Sequence, residues 1–364
     1  MSQPAFPGDA RFYLRPTGFV EAPFGHDGQL LRLAGGLLWF SAVELIVRVG
    51  GRRVAQALIP VTALDRLPEA ARPLLDRLTA ARPALHMGGQ TIRFDQPHIM
   101  AILNLTPDSF SDGGRITDPD AGAATAVAQA AAGASIIDIG GESTRPGAAP
   151  VWEGDEIARV VPVVERLRHA GVALSIDTRK AAVMEAALVA GAHLVNDVSA
   201  LLHDPRSAEV VAASAAPVVL MHHQGDPATM QTAPRYDDVL LDVYDWLEAR
   251  VAAAAAAGID RARIIVDPGI GFGKTLAHNL ALLNGLALFH GLGLPLLVGA
   301  SRKRMIGALS NEAPVDQRLG GSVALVVHGL SQGVQILRVH DVVESRQALR
   351  VWRGLRDAAL TPPR

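Results

Sequence analysis

Eight short apolar segments, spread through the last two thirds of the chain, limit its possible folds more than any other feature. Each is a nearly continuous aliphatic run of strand length, which is typical of a parallel strand buried on both faces. Polar or glycine-rich turns and Ala-rich segments separate the runs, and eight is the number of strands that closes a barrel. The alternation predicts a (β/α)8 TIM barrel, with a doubly wound open sheet as the alternative. The runs span 98–103, 135–140, 173–178, 193–198, 217–222, 263–268, 295–300 and 335–340.

The first part of the chain does not share this alternation. Residues 1–96 contain strand-like pieces followed by a helical stretch at 68–85. We predict a small α+β extension of unknown role over 1–96 and the barrel over 97–364. Packing or oligomerisation is a better expectation for the extension than a second active site. Between the barrel strands, helices are expected at 119–132, 155–170, 179–190, 237–257 and 341–357.

Charge and cysteine usage narrow the function classes. The 364 residues include 34 Lys or Arg and 36 Asp or Glu, so the basic surplus of a nucleic-acid binder is missing. Without cysteine, disulfides and thiolate metal or nucleophile sites are impossible. The first residues lack the apolar core of a signal peptide, and Glu44 and Arg48 interrupt the longest apolar stretch. We therefore expect a cytoplasmic protein that binds neither membranes nor nucleic acid.

Polar side chains stand at or near the ends of all eight runs. In a (β/α)8 barrel, the C-terminal strand ends build the active site, whereas the opposite end serves stability. One or two such residues would be ordinary turn chemistry, but a complete set favours a functional rim. In strand order, the set contains Asn104, Asp138, Asp177, Asn196 with Asp197, His222, Asp267, Ser301 to Lys303, and Arg338 with His340.

The last strand carries a candidate anion site. Arg338 and His340 are two residues apart, so they project from the same face of the strand. A guanidinium beside an imidazole suits a phosphate group. The alternative is a buried Arg338 paired with Asp341. The adjacent His222 and His223 point to opposite faces, which argues against a shared metal site.

A second set of residues predicts a site for a ligand with several N–H groups. Asp177, Asn196 and Asp267 would meet inside the barrel mouth, where buried carboxylates need hydrogen-bond donors. The edge of a heteroaromatic amide or amidine supplies such donors, and Lys303 adds a donor for a carbonyl or ring nitrogen. The alternative is mutual ion pairing within the set and with Arg179.

Glycine-rich loops add to the mouth. The segments 106–114 and 140–148 follow the first two strands and are suited to closing over a substrate, with Arg145 able to swing toward a phosphate. The segment 269–275, GIGFGKT, ends like a phosphate-binding loop. The pattern requires glycine where this chain has Pro268, so the match fails.

Several motifs together resemble the dihydropteroate synthase family of folate biosynthesis. They occur in the family's order between residues 97 and 355: HIMAILNLTPDSFSDGG, IIDIGGESTRPGA, SIDTRK, VNDVSAL, IIVDPGIGFGKT, LLVGASRKRMIG and ILRVHDV. The resemblance implies a TIM barrel that joins 6-hydroxymethyl-7,8-dihydropterin diphosphate to p-aminobenzoate and releases diphosphate with the help of Mg²⁺. It also implies a homodimer and a target of sulfonamides.

The resemblance assigns roles to individual residues. Lys303, Arg338, His340 and Asp177 are expected to act in the reaction. Ser301 would hold the aminobenzoate carboxylate, and Asn104 would sit at the Mg²⁺ and diphosphate end. The pterin would be held by Thr144, Asp177, Asn196, Asp267 and Lys303. The diphosphate would be bound by Arg145, Arg338 and His340. The aminobenzoate ring would lie among Phe110, Pro146 and Phe272.

Two other functions remain open at this stage. A related barrel that moves a methyl group from methyltetrahydrofolate to a corrinoid would share the Asp/Asn cluster. It should lack the Ser-Arg-Lys segment and the Arg-Val-His pair, which this chain has. A non-catalytic pterin-binding barrel would tolerate loss of the anion residues. One departure from the family is His223, where Met is usual after the histidine of the fifth strand.

Overall fold

A small antiparallel sheet forms the first part of the structure, a computed structural model that describes residues 6–106, 118–143, 150–225, 230 and 232–361. The central strand β3 pairs with β1 along one edge and with β2 and β4 along the other. Leu74 and Leu78 of the first helix, α1 (Arg72–Thr79), pack on this sheet. An α+β extension therefore precedes the barrel, as predicted. The first strands are β1 (Arg11–Val20), β2 (Leu31–Arg32), β3 (Trp39–Val49), β4 (Arg52–Pro60), β5 (Leu85–Met87) and β6 (Gln90–Ile92).

Eight parallel strands follow and form a barrel. Their order around the sheet is the chain order, with the first strand lying between the second and the last. A parallel bridge between Val266 and Leu296 brings the two ends of the sheet together. The predicted (β/α)8 fold is confirmed, and the open sheet is wrong. The strands are β7 (His98–Asn104), β8 (Ile136–Gly140), β9 (Ala173–Asp177), β10 (Leu194–Asp197), β11 (Val218–Met221), β12 (Ile264–Asp267), β13 (Leu297–Val298) and β14 (Ile336–Val339).

Helices connect the strands on the outside of the barrel. Asp118 and Asp238 accept hydrogen bonds from backbone N–H groups in the first turns of α2 and α6, which fixes where these helices begin. Helix α6 ends just before Gly258, as its sequence suggests. The barrel helices are α2 (Pro119–Ala131), α3 (Glu153–Leu167), α4 (Ala181–Ala190), α5 (Ser207–Ser214), α6 (Val239–Ala256), α7 (Leu276–Asn284), α8 (Arg304–Leu309), α9 (Leu319–Ser331) and α10 (Val342–Ala359). No helix within the described ranges is long and apolar enough to cross a bilayer.

The hairpin of β5 and β6 closes the N-terminal end of the barrel. It turns at Gly88 and Gly89, both with positive φ. Its apolar side chains form one buried cluster with a single inward residue from each barrel strand. Because this end is filled with hydrocarbon, an accessible site can open only at the other end. The cluster contains Leu85, Met87, Ile92, Phe94, Met100, Ile136, Ala173, Leu194, Val219, Ile265, Leu297 and Ile336.

Candidate active site

Strand alternation places polar side chains directly above the apolar layer. Inward residues recur every second position, so Asp138, Asn196 and Asp267 each stand two residues after a member of the buried cluster. Arg338 stands in the same relation to Ile336 on β14. These side chains come from distant segments of the chain and form one polar layer at the C-terminal end of the barrel. This layer, which also includes Asp177 of β9, is called the floor of the site below.

Arg338 is the centre of this floor. Its Nε donates to Oδ2 of Asp138 at 2.6 Å, and its Nη2 donates to Oδ2 of Asp177 at 2.6 Å. The Nδ2 of Asn196 donates to the same Oδ2 of Asp138 at 2.9 Å. The pairing of Arg338 with Asp341, considered from the sequence, is wrong. The carboxylate of Asp341 instead accepts from Nε of Arg302 at 3.0 Å.

The charges on the floor influence one another strongly. Burial raises the pKa of Asp177 to about 7, with the positive charge of Arg338 opposing the shift and the negative charge of Asp138 adding to it. Burial alone would lower the pKa of Arg338, but the carboxylates of Asp138 and Asp177 outweigh it and raise the pKa. The guanidinium is therefore charged, whereas Asp177 can exchange a proton near neutral pH.

Asp138 holds the most informative atom of the floor. Its Oδ1 is buried and accepts no hydrogen bond from the residues that the structure describes. A buried acceptor without a donor is costly, so it indicates a place where a ligand supplies an N–H or O–H group. Asp138 was noted as a polar strand residue but was not among the predicted site residues.

Asp267 lies on the same floor at the end of β12. Its Oδ1 accepts the backbone N–H of Gly269 at 2.7 Å. Burial raises the pKa of this carboxyl group to about 6, against the effect of that hydrogen bond and of the nearby positive charges of Lys303, Lys274 and Arg338. The three predicted acceptors, Asp177, Asn196 and Asp267, thus share one floor. Arg179 pairs with Glu142 at 3.2 Å, so the predicted alternative through Arg179 is wrong.

The loop after β12 forms one wall of the site. The Nζ of Lys303 lies 4.0 Å from the centroid of the Phe272 ring, in a cation–π contact. Gly269, Gly271 and Gly273 all have positive φ, which lets the loop curl tightly. The Nζ of Lys274 donates to carbonyl oxygens of its own loop. This agrees with the rejection of a phosphate-binding loop, whose lysine must face the ligand.

Ser301 and His340 meet beside this wall, after the neighbouring strands β13 and β14. The Oγ of Ser301 lies 3.1 Å from Nδ1 of His340 and accepts the backbone N–H of His340 at 3.2 Å. The end of β14 is thereby joined to the segment after β13.

An open cavity of about 730 Å³ lies above this floor. Phe272 and Lys303 belong to one wall, and Asn196 and Asp267 are only 5% exposed and are not part of its lining. The predicted site residues on its lining are Asn104, Asp177, Phe272, Ser301, Lys303, Arg338 and His340. Four further predicted site residues lie outside the described ranges: Phe110, Thr144, Arg145 and Pro146.

The barrel fold and the polar cavity at its mouth place the chain in the class of pterin-binding enzymes. Residues 100–340 match the family model described as pterin binding enzyme. A curated relative, the dihydropteroate synthase of Escherichia coli strain K12, is 48% identical over 264 residues, covering 72% of this chain and 93% of the relative. The chain therefore belongs to the dihydropteroate synthase family, whose members are transferases.

Solved structures give the same result. A Yersinia pestis dihydropteroate synthase in complex with a sulfonamide drug superposes with a TM-score of 0.73 at 48% identity, covering 76% of this chain and all of that one. The Xanthomonas albilineans enzyme in complex with 7,8-dihydropteroate has a TM-score of 0.68 at 44% identity, covering 75% of this chain and 99% of the other. Since these relatives are spanned almost completely, about a quarter of this chain has no counterpart in them.

Proposed function

We propose that the cavity condenses 6-hydroxymethyl-7,8-dihydropterin diphosphate with p-aminobenzoate. The bond between the exocyclic carbon of the pterin and the diphosphate oxygen breaks, and the diphosphate leaves with the electron pair. The arylamine nitrogen forms the new C–N bond to that carbon and releases a proton to solvent. The observation that carries the proposal is the unsatisfied Oδ1 of Asp138 beneath an open cavity, beside the carboxylate of Asp177.

The floor is proposed to hold the pterin. The amino and ring N–H groups of a pterin lie along one edge, and one of them would meet the unsatisfied Oδ1 of Asp138. The carboxylate and amide oxygens of Asp177, Asn196 and Asp267 are the other suitable acceptors. Lys303 donates to the carbonyl or ring nitrogen. Binding of these N–H donors favours the ionised form of Asp177, whose pKa is about 7 without them. Thr144 is proposed to add a further contact to this substrate.

The diphosphate is proposed to lie between Arg338, His340 and Arg145. Cationic groups stabilise the charge that develops on the leaving oxygen, so no protein nucleophile is required. Asn104 lines the cavity with an amide group, whose oxygen fits Mg²⁺, an ion that binds few protein oxygens together with water and phosphate. When bound, Mg²⁺ would neutralise part of the diphosphate charge.

The aminobenzoate is proposed to occupy the outer part of the cavity. Ser301 would donate its hydroxyl hydrogen to the carboxylate. The aromatic ring would lie against Phe272, with Phe110 and Pro146 completing its surroundings. This arrangement keeps the amine directed at the exocyclic carbon, because the carboxylate at the other end of the ring is fixed.

A homodimer is also proposed. Helix α10 presents Val343, Val351 and Leu355, which are 63%, 61% and 67% exposed and recur at multiples of four residues along one face. A second copy of the chain would cover such an apolar stripe. Sedimentation equilibrium at micromolar concentration distinguishes a dimer from a monomer. The cytoplasmic location expected from the sequence stays a prediction.

Diphosphate release tests the proposed reaction. The purified chain is mixed with dihydropterin diphosphate and Mg²⁺, with or without p-aminobenzoate, and diphosphate and dihydropteroate are quantified. We expect equal amounts of both products, formed only when p-aminobenzoate is present. Omission of Mg²⁺ should reduce the rate. Release of diphosphate without formation of dihydropteroate would contradict the proposal.

A further inference from the structure

Lysine is rare in this chain and occurs in one region only. The sequence has three lysines and 31 arginines: every basic position except Lys180, Lys274 and Lys303 is arginine. All three follow C-terminal strand ends, after β9, β12 and β13. Lysine offers a compact ammonium with three donors, whereas arginine offers a planar fork. Lys180 pairs with Glu156, and Lys303 belongs to the proposed pterin site. Lys274 has no role in the proposed reaction.

Lys274 is part of the cavity wall, and several acceptors hold its Nζ. The residue is 3% exposed. Its Nζ lies 2.8 Å from Nδ1 of His222 and donates to the carbonyl oxygens of Gly269 at 2.8 Å and Phe272 at 3.0 Å. Two of these partners belong to the loop itself and the third to the end of β11. Lys274 therefore fastens the loop to the neighbouring strand.

The loop has little room for another conformation. A Cβ at Gly269 would lie 1.8 Å from the carbonyl oxygen of His222, and one at Gly273 would lie 2.3 Å from that of Gln224. The loop backbone is thus pressed against the segment that follows β11. Because Lys274 binds the carbonyl of Phe272, it acts on the residue whose ring contacts Lys303.

We propose that Lys274 is a positioning residue that fixes the Phe272 ring for binding of the aminobenzoate. The inference rests on the proposed function, because it assigns the Phe272 side of the cavity to that substrate. Lys274 touches neither substrate in this arrangement; it acts through the loop backbone and through His222.

The surroundings of Lys274 explain why this position is a lysine. Four acceptor atoms lie within hydrogen-bond distance of Nζ, the fourth being the carbonyl oxygen of His222 at 3.4 Å, and a compact group with several donors suits them better than a planar guanidinium. Burial lowers the pKa of Lys274 to about 7, against the negative charge of Asp267, so Nζ donates as an ammonium or as an amine near neutral pH. Burial lowers the pKa of His222 to about 2, so the imidazole is neutral. A neutral ring that accepts at Nδ1 carries its proton at Nε2. The ring is enclosed by Tyr236 and Trp246, which keep this acceptor in place.

The first test separates substrate binding from the chemical step. Lys274→Met keeps an unbranched, apolar side chain of similar length to the lysine stem but removes the terminal amino group. We expect the KM for p-aminobenzoate to rise about 10-fold, because a displaced ring no longer supports the substrate. The value of kcat and the KM for the pterin substrate should change less than about 3-fold. Unchanged kinetics, or equal losses in kcat and in both KM values, would overturn the proposal.

A chemical restoration isolates the ammonium from the bulk of the side chain. Since the chain has no cysteine, Lys274→Cys introduces a single thiol. The thiol is alkylated in denaturant with one of two reagents, and the protein is refolded afterwards. 2-Bromoethylamine creates a lysine analogue, whereas 1-iodopropane creates a neutral side chain of equal length. We expect the amine to restore the KM for p-aminobenzoate and the propyl group to leave it raised. Equal behaviour of the two products would overturn the proposal.

A destabilised control variant tests whether a general loss of stability is enough to raise the KM for p-aminobenzoate. Val163→Ala creates a cavity under α3, more than 100 residues before the loop in the sequence, at a residue only 1% exposed. It should lower Tm without raising the KM for p-aminobenzoate. A raised KM in this control would show that any loss of stability has the same effect and would overturn the proposal. Failure of the proposed function is a separate result: the unaltered chain itself would then form no dihydropteroate.

Discussion

Arginine–carboxylate pairs occur in two regions of the molecule and serve different purposes. On the outer face of α6, four carboxylates pair with four arginines of the extension. At the barrel mouth, the guanidinium of Arg338 binds the carboxylates of Asp138 and Asp177. The outer pairs are those of Asp238 with Arg53, Asp242 with Arg48, Asp245 with Arg48 and Arg11, and Glu248 with Arg11 and Arg77.

The pairs on α6 attach the extension to the barrel. The four carboxylates are four, three and three residues apart, so they lie along one face of the helix. Tyr13 reinforces them, because its buried side chain donates to Asp245 at 2.8 Å. Every one of these carboxylates has a basic partner, so this surface has no unused negative charge to offer a ligand.

The mouth is different because one of its buried carboxylate oxygens lacks a hydrogen-bond donor among the described residues. Asp138 and Asp177 share Arg338, and Oδ1 of Asp138 accepts nothing from the described part of the chain. Burial makes each interaction stronger and each unmet acceptor more costly. Arginine and carboxylate side chains therefore attach the extension to the barrel at the surface, and at the barrel mouth they form a site that can still accept a ligand.

Removal of Arg338 should give the largest effect. Breaking a buried ion pair leaves uncompensated charge, and Arg338→Ala should weaken binding of dihydropterin diphosphate by at least about 100-fold. A bare pterin should lose less, since it lacks the diphosphate, although Asp138 and Asp177 also depend on this guanidinium. Titration calorimetry with both ligands measures the difference. Equal losses would refute the role of Arg338 in binding the anion.

Asp267→Asn should give the next largest effect. The change keeps the shape of the side chain but replaces a charged acceptor with a neutral amide. We expect pterin affinity to fall about 10-fold, the usual scale for a hydrogen bond to a charged group. Calorimetry with a bare pterin measures this loss. The Gly269 N–H can still be accepted by the amide oxygen, so the loop should persist. An unchanged affinity would remove Asp267 from the site.

The pH dependence of stability distinguishes the mouth from the surface pairs. Since the folded pKa of Asp177 is about 7, far above its value in the unfolded chain, the folded state holds this proton more tightly. Its contribution is therefore complete below pH 4 and is lost as the pH rises to 7. Relative to Asp177→Asn, the unfolding free energy should fall by about 1 kcal/mol per pH unit. Urea unfolding of both proteins from pH 4 to 7 measures it; parallel curves would contradict the raised pKa.

Local sequence patterns predicted the barrel and many of the residues that line its cavity. They did not predict which of these residues form ion pairs or hydrogen bonds with one another. The strand-end residues Asp177, Asn196 and Arg338 could be identified because each follows a buried run. The partner of Arg338 was sought in its neighbour Asp341, whereas its real partners, Asp138 and Asp177, are 200 and 161 residues away and become adjacent only after the barrel closes. Asp138 was noted in its strand but given no role in the site, because nothing in the neighbouring sequence shows its contact with Arg338.

The surface attachment was also beyond local reasoning. The carboxylates at 238, 242, 245 and 248 mark a charged helix face, which is ordinarily solvated. Their partners lie between residues 11 and 77, in the extension, which precedes the residues that match the family model. Only the packing of two separately formed regions brings the charges together. A sequence can thus indicate that a face is charged without indicating what neutralises it.

The smallest predicted effect belongs to this surface. Arg53→Ala removes a partly exposed partner of Asp238, and an exposed ion pair contributes about 0.2–1 kcal/mol. The unfolding free energy should therefore fall by less than about 1 kcal/mol at physiological salt, and the difference should shrink further at 1 M salt through screening. Both KM values should stay unchanged, since Arg53 lies on the outer face of the molecule. A raised KM in this variant would mean that the extension acts on the active site. The proposed difference in purpose between the ion pairs of α6 and those of the barrel mouth would then be wrong.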